Sequence, residues 1–326
     1  MKRREFITLI GCAGATWPLA ARAQQTEKIP VVGFFYPGPK VAAPTRITAF
    51  LAGLRSGGFS EPANVTLIPQ ITNGDPALLS PMAADLVARK VDLIFAVSSV
   101  ALQAARDATT TIPIVSIDLE TDPIGSGLVK SIAQPGGNIT GVFLDFPDFA
   151  KKWLEVLKET IPQVSTIAVL WDPTTTKTQL TAIQAAAGIL NLKLEVLEVR
   201  SRADLEAAFP SASRRAAGAV LMLSSPLIGA NTNLLAELAL TQKLPAITLF
   251  SDFARNGGLM AYGPNLLAQY RLAGVMAAKI LHGTKPAVLP IESPTRFEFI
   301  LNLKTAGQFG LTVPPLVLLR ADEVIE

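Results

Sequence analysis

Two residue types that carry much of protein chemistry are almost missing. The 326-residue chain has one cysteine, Cys12, and one histidine, His282. A lone cysteine cannot close a disulfide within the chain, and zinc has no credible ligand set. His282 falls at the polar end of a helical stretch, far in sequence from the acidic loops, so it does not point to a Ser–His–Asp triad. There is no Gly-x-x-x-x-Gly-Lys-Ser/Thr P-loop and no Gly-x-Ser-x-Gly elbow. Gly125-Ser126-Gly127 follows a strand but is too degenerate to mark a nucleotide site. No cofactor, no metal and no catalytic set is therefore expected. Past the N-terminal leader, no run reaches the ~18 apolar residues that a membrane helix needs.

Charge is scarce as well. The chain has 29 basic and 26 acidic residues, but the first 23 positions hold Lys2, Arg3, Arg4 and Arg22 against Glu5 alone. The remainder is balanced, so the basic pI comes from the leader. It has no basic stripe, which argues against nucleic acid as a partner.

Residues 1–23 read as a cleaved export signal. Lys2-Arg3-Arg4 forms a positive start, Phe6–Ala20 is mostly apolar, and Ala21-Arg22-Ala23 offers small residues for cleavage, so the mature chain would begin at Gln24. Arg3-Arg4-Glu5-Phe6-Ile7 also has the form of a twin-arginine signal, an alternative to ordinary secretion. Leu9-Ile10-Gly11-Cys12 resembles a lipoprotein box. Only about five apolar residues separate it from Arg4, short of an ordinary signal core, which argues against lipidation. The expected location is the periplasm.

What is present is a strand–helix rhythm in two series. In the first, apolar runs at Ile29–Phe35, Asn64–Pro69, Val91–Val97 and Thr111–Ile117 read as strands, with helical spacing between them. Continuous apolar strands alternating with amphipathic helices indicate a parallel sheet covered on both faces. The second series has strands at Thr166–Trp171, Leu192–Val199, Gly218–Leu223, Leu244–Phe250 and Leu259–Tyr262. A long helix, Asn265–His282, suits packing back on the first series; Phe297–Leu303 is a strand and Pro314–Glu326 a tail. The stretch 113–142 joins the series. It holds the loop Asp118–Asp122, a helix expected over Ile124–Ala133, and a turn at Pro135-Gly136-Gly137-Asn138.

The fold class is α/β: two doubly wound parallel-sheet lobes joined by a three-stranded hinge. The first lobe is expected to take residues 27–143 and 265–296, the second 144–264 and 297–326. In open α/β sheets, ligands bind beyond the carboxyl ends of the strands. The side chains at those ends are Tyr36, Ser98, Ser99, Asp118, Asp122, Trp171, Asp172, Ser224, Phe250, Asp252 and Tyr262. Ser98-Ser99 opens a helix, where free N–H groups favour an anion such as a carboxylate; the same serines could simply cap it. The acidic loop suits an amine or polyhydroxyl ligand, or is a solvated turn. Trp and Tyr suit a half-wet cleft.

These residues together resemble a family. The RREFI leader ending in ARAQQ, the run IPIV…DPIGSGLV…PGGNITGV at 112–142, IAVLWDP at 167–173, LPAI at 244–247, GGLMAYGP at 257–264 and LNLKTAGQFGLTVPP…RADEVIE at 301–326 are similar to ABC-transporter substrate-binding proteins of the tryptophan/tyrosine type. The resemblance covers nearly the whole chain. It implies the type I periplasmic-binding-protein fold, a small-molecule solute closed between the lobes, delivery to ABC permease subunits, a monomer, and no chemistry. An aromatic amino acid is the ligand type it implies. This chain departs from the family pattern at Ser98-Ser99-Val100, at Trp171-Asp172 and in a longer Asp118-Leu119-Glu120 insert. Two other readings are a sensory ligand-binding subunit and a carboxylate-based periplasmic hydrolase.

Overall fold

The computed structural model describes residues 28–326; the leader, with Cys12 and the twin-arginine run, lies outside the described residues. β1 (Val31–Tyr36), a nearly all-apolar run, leads through Pro37-Gly38-Pro39 into α1 (Ala43–Ser56). Pro44 fits the first turn of α1, where its missing N–H would have no partner anyway. β2 (Thr66–Ile71), α2 (Leu79–Ala88), β3 (Leu93–Val97), α3 (Ser98–Ala108), β4 (Ile114–Asp118) and β5 (Ile139–Phe143) follow. The five strands pair in parallel in the order β2-β1-β3-β4-β5.

The second series runs α4 (Phe146–Thr160), β6 (Thr166–Trp171), α5 (Thr178–Ile189), β7 (Lys193–Glu198), α6 (Arg202–Arg214), β8 (Ala219–Met222), α7 (Pro226–Ala230), α8 (Thr232–Thr241), β9 (Ala246–Thr248), α9 (Ser251–Arg255) and β10 (Met260–Pro264). Then α10 (Leu266–Leu281) returns to the first lobe and packs along α1. β11 (Phe297–Asn302), α11 (Leu303–Gln308), α12 (Pro315–Leu318) and β12 (Glu323–Ile325) end the chain. The second sheet has the order β12-β11-β10-β9-β8-β6-β7 and is parallel except for the β10–β11 pair.

Three strands of chain cross between the lobes: 143–146, 264–266 and 292–297. They are tied to one another, with Phe143 N–H donating to the Glu292 carbonyl (2.9 Å) and Asn265 N–H to the Arg296 carbonyl (2.9 Å). Beside them Phe149, Tyr262 and Phe297 stack at 5.8–6.0 Å between centroids. In the first lobe Phe34, Phe50, Phe95 and Tyr270 form a second aromatic group, Phe50 and Phe95 stacking at 4.3 Å. Each such pair adds roughly 0.5–1.5 kcal/mol beyond its apolar burial.

Two stretches differ from the sequence reading. Residues 124–133 form a run of turns instead of a helix. Gly127 takes φ +69, and Ser126 N–H and Gly127 N–H reach back only to Asp122 and Ile124. With Pro123, Gly125 and Gly127 so close together, no second helical turn can propagate. The C-terminal tail is structured: β12 adds an edge strand beside β11.

Candidate ligand-binding site

A cavity of about 500 Å³ lies between the lobes, beyond the carboxyl ends of both sheets. From the first lobe it takes Tyr36 at the end of β1, Arg46 on α1, Ser98 at the β3–α3 junction, Glu120 after β4, and Tyr270 on α10. From the second it takes Ser224 and Ser225 after β8, the start of α8, and Phe250 and Asp252 after β9.

The lobes are joined across it. The Glu120 side chain is 4% exposed. One of its oxygens accepts from Ser99 N–H at 2.8 Å, the other from the Ser224 hydroxyl of the opposite lobe at 2.8 Å. Thr176 Oγ1 donates to the Glu120 carbonyl (2.5 Å), and Arg46 meets Asp252 at 3.4 Å. Ser224 is itself held at both backbone groups by the buried amide of Gln179 on α5, at 2.7 and 2.8 Å. The anion that α3's start favours is thus supplied by the protein: Glu120 occupies it. Ser98 sits beside it at φ +75, a conformation that side chains rarely adopt, and its buried hydroxyl has no partner.

Arg46 lies among phenols. Burial pushes the Tyr36 hydroxyl above the usual tyrosine range and the Tyr270 hydroxyl well above it; the adjacent Arg46 guanidinium pulls both down without cancelling this. Both phenols therefore stay neutral at physiological pH and offer an O–H to a ligand.

Of the strand-end residues singled out in the sequence, Tyr36, Ser98, Ser224, Phe250 and Asp252 line the cavity. The others are elsewhere. Ser99 and Asp118 line a second cavity of about 330 Å³ with Arg106, Thr121 and Thr174–Thr176. Asp118 is fully buried: Oδ1 accepts from the N–H groups of Glu120 and Thr121, and Oδ2 has no partner. Burial first, then the charge of Glu120, hold its carboxyl well above the usual range. Asp122 is exposed and caps Ile124 N–H at 3.0 Å. Trp171 is buried at the end of β6, and Asp172 closes its own loop through Thr174 at 2.7 and 2.9 Å. Tyr262 belongs to the aromatic stack at the crossing. Asp122, Trp171, Asp172 and Tyr262 thus lie outside the cavity lining, held by loop closure, by packing at a strand end and by the aromatic stack.

Sequence reasoning missed Arg46 as a cavity residue, and Tyr270 and Glu120 as individual groups. Arg46 carried a signal: it lies four residues before Phe50, on the apolar side of α1, where a solvated arginine does not belong. Asp118 and Glu120 do not face one cavity together, so they do not flank a common bond as a hydrolase's carboxylate pair must.

The comparisons with known proteins agree with this geometry. Residues 42–325 match the family model for ABC transporter substrate binding proteins. The chain is 27% identical over 282 residues to a tyrosine-binding protein of Clostridioides difficile, covering 84% of this chain and 80% of that one. A conserved domain protein from Vibrio cholerae is 25% identical with a TM-score of 0.85, over 91% of this chain and 100% of that chain. An ABC domain from Streptococcus pneumoniae in complex with L-Trp is 25% identical with a TM-score of 0.84, over 91% and 99%. With two sheets parallel but for one strand pair, three crossings and an interlobe cavity, this chain belongs to the ABC transporter substrate-binding protein family.

Proposed function

We propose that the protein is a periplasmic receptor that closes its lobes on an aromatic solute bearing an amine, an amino acid or a related compound, and delivers it unchanged to an ABC importer. The observation that carries this reading is the cavity itself. Tyr36, Phe250 and Tyr270 provide aromatic surface, and Arg46 and Glu120 provide charge of both signs. Aromatic surface beside charged and hydroxyl groups suits a small solute that is apolar at one end and charged at the other. The tyrosine-binding relative and the L-Trp complex support the aromatic ligand class. The protein acts as a monomer, with closure presenting a two-lobe surface to the permease.

The test is a thermal-shift screen of the purified protein against amino acids, aromatic acids, amines and sugars. A ligand at a hundredfold excess over its Kd should stabilise by about 2.7 kcal/mol. The bound compound should then be recovered chemically unchanged. A shift only with sugars overturns the ligand class, and conversion of the compound overturns the receptor role.

A further inference from the structure

The charges of the cavity are not evenly matched. Glu120 is buried, and no Lys or Arg pairs with it among the described residues; its partners are one N–H and one hydroxyl. Arg46 is already met by a carboxylate, Asp252, and lies beside two phenols. Arg202, at the rim, pairs with Glu206 on its own helix at 3.2 Å. Over the whole lining, three carboxylates (Glu120, Glu237, Asp252) face two guanidiniums (Arg46, Arg202). A desolvated carboxylate without a countercharge is costly until a cation reaches it. An incoming carboxylate would share Arg46 with Asp252, which already meets one of its nitrogens at 3.4 Å, and would meet like charge there, whereas an incoming ammonium meets no competing cation at Glu120. A carboxylate oxygen can accept more than one hydrogen bond, so Glu120 can receive an ammonium while keeping Ser99 and Ser224.

Resting on the receptor reading of this same cavity, we infer that the recognised group is the ligand's ammonium, held by Glu120, and that the ligand's carboxylate is dispensable. The substrate class is then primary arylalkylamines, with the aromatic body among Tyr36, Phe250 and Tyr270. The same carboxylate joins the lobes through Ser224, so ammonium capture and closure act on one group.

Isothermal titration calorimetry with three probes that share a phenol tests this: tyramine (amine only), L-tyrosine (amine and acid) and 3-(4-hydroxyphenyl)propionate (acid only). Tyramine should bind at least as tightly as tyrosine. The propionate should bind about a hundredfold more weakly than tyramine, the upper end for one charged hydrogen-bonded contact. Glu120→Gln should weaken tyramine by about tenfold or more while melting close to the parent protein. As a second variant, Asp252→Asn frees Arg46 and should improve tyrosine relative to tyramine. Tyrosine binding tenfold tighter than tyramine, propionate equalling tyramine, or Glu120→Gln leaving tyramine unchanged each overturns the inference. If none of the three binds but another solute does, the amine assignment falls and the receptor stands. If no small molecule binds, the receptor reading falls with it.

Discussion

The Glu120 carboxylate and the Ser224 hydroxyl meet at 2.8 Å from opposite lobes, although 104 residues separate them in the chain. Glu120 is delivered by the loop after β4. Ser224 is delivered by the loop after β8 and steadied by Gln179 through its backbone, independently of its hydroxyl. The hydroxyl is thus free to serve the contact between lobes.

Ser224→Ala should weaken closure without disturbing either lobe. The closed state would keep a buried carboxylate oxygen short of a donor, at a cost of about 1.5–3 kcal/mol for a bond to a charged group. When the lobes are apart, water repays that loss, so the cost falls on closure and lowers apparent affinity through the closed fraction. Ligand affinity should drop by roughly tenfold or more, with the melting temperature of the ligand-free protein nearly unchanged. A double-mutant cycle with Glu120→Gln, read by calorimetry, isolates the pair; additive losses would show that the two residues do not act together.

How far the sequence reached can be seen from particular residues. LIFAV and AVLM are apolar runs of strand length, and burial on both faces of a parallel sheet explains why they carry no alternation. The loops beyond such strands brought Tyr36, Ser98, Ser224, Phe250 and Asp252 to the cavity wall. The same rule does not distinguish an aromatic that faces the cleft from one that closes the core, and Trp171 and Tyr262 are of the second kind. Arg46 and Tyr270 were hidden differently. They sit on helices, where local pattern marks Arg46 as out of place on an apolar face but cannot show that the helix borders a cavity. The 206-residue separation of Arg46 from Asp252 is a matter of tertiary placement alone.

Arg46 and Tyr270 owe their positions to a close helix contact. A Cβ on Gly53 of α1 would lie 2.0 Å from the Arg271 carbonyl oxygen, and one on Gly274 of α10 would lie 2.2 Å from that of Phe50. Backbone is the obstacle in both cases, so the helices must part. Gly274→Ala should destabilise the protein by roughly 1–3 kcal/mol as an overpacked site. It should also reduce ligand affinity, since Tyr270 lies one turn away on α10. Gly188→Ala on α5 is the control. Its Cβ meets nothing within 4 Å, so helix propensity should give a gain of roughly 0.5–1 kcal/mol. Chemical denaturation of both variants checks the opposite signs; equal effects would remove the packing explanation.

Asp118 makes stability depend on pH in the sense opposite to an ion-paired carboxylate. Its carboxyl is held well above the usual range, chiefly by burial and then by the charge of Glu120. The folded state therefore keeps a proton that the unfolded chain releases near its ordinary value of about 3.9. Stability from this group is fully present below that unfolded value and is lost as pH rises through the folded one. Asp118→Asn keeps an acceptor at Oδ1 for the Glu120 and Thr121 N–H groups and has no charge to form. The variant should melt above the parent at pH 8, with the margin shrinking as pH falls towards 4. Thermal melts across that range check it. A margin that widened on acidification would mean that Asp118 is stabilised as a charged carboxylate, and its burial would then need a cation to explain it.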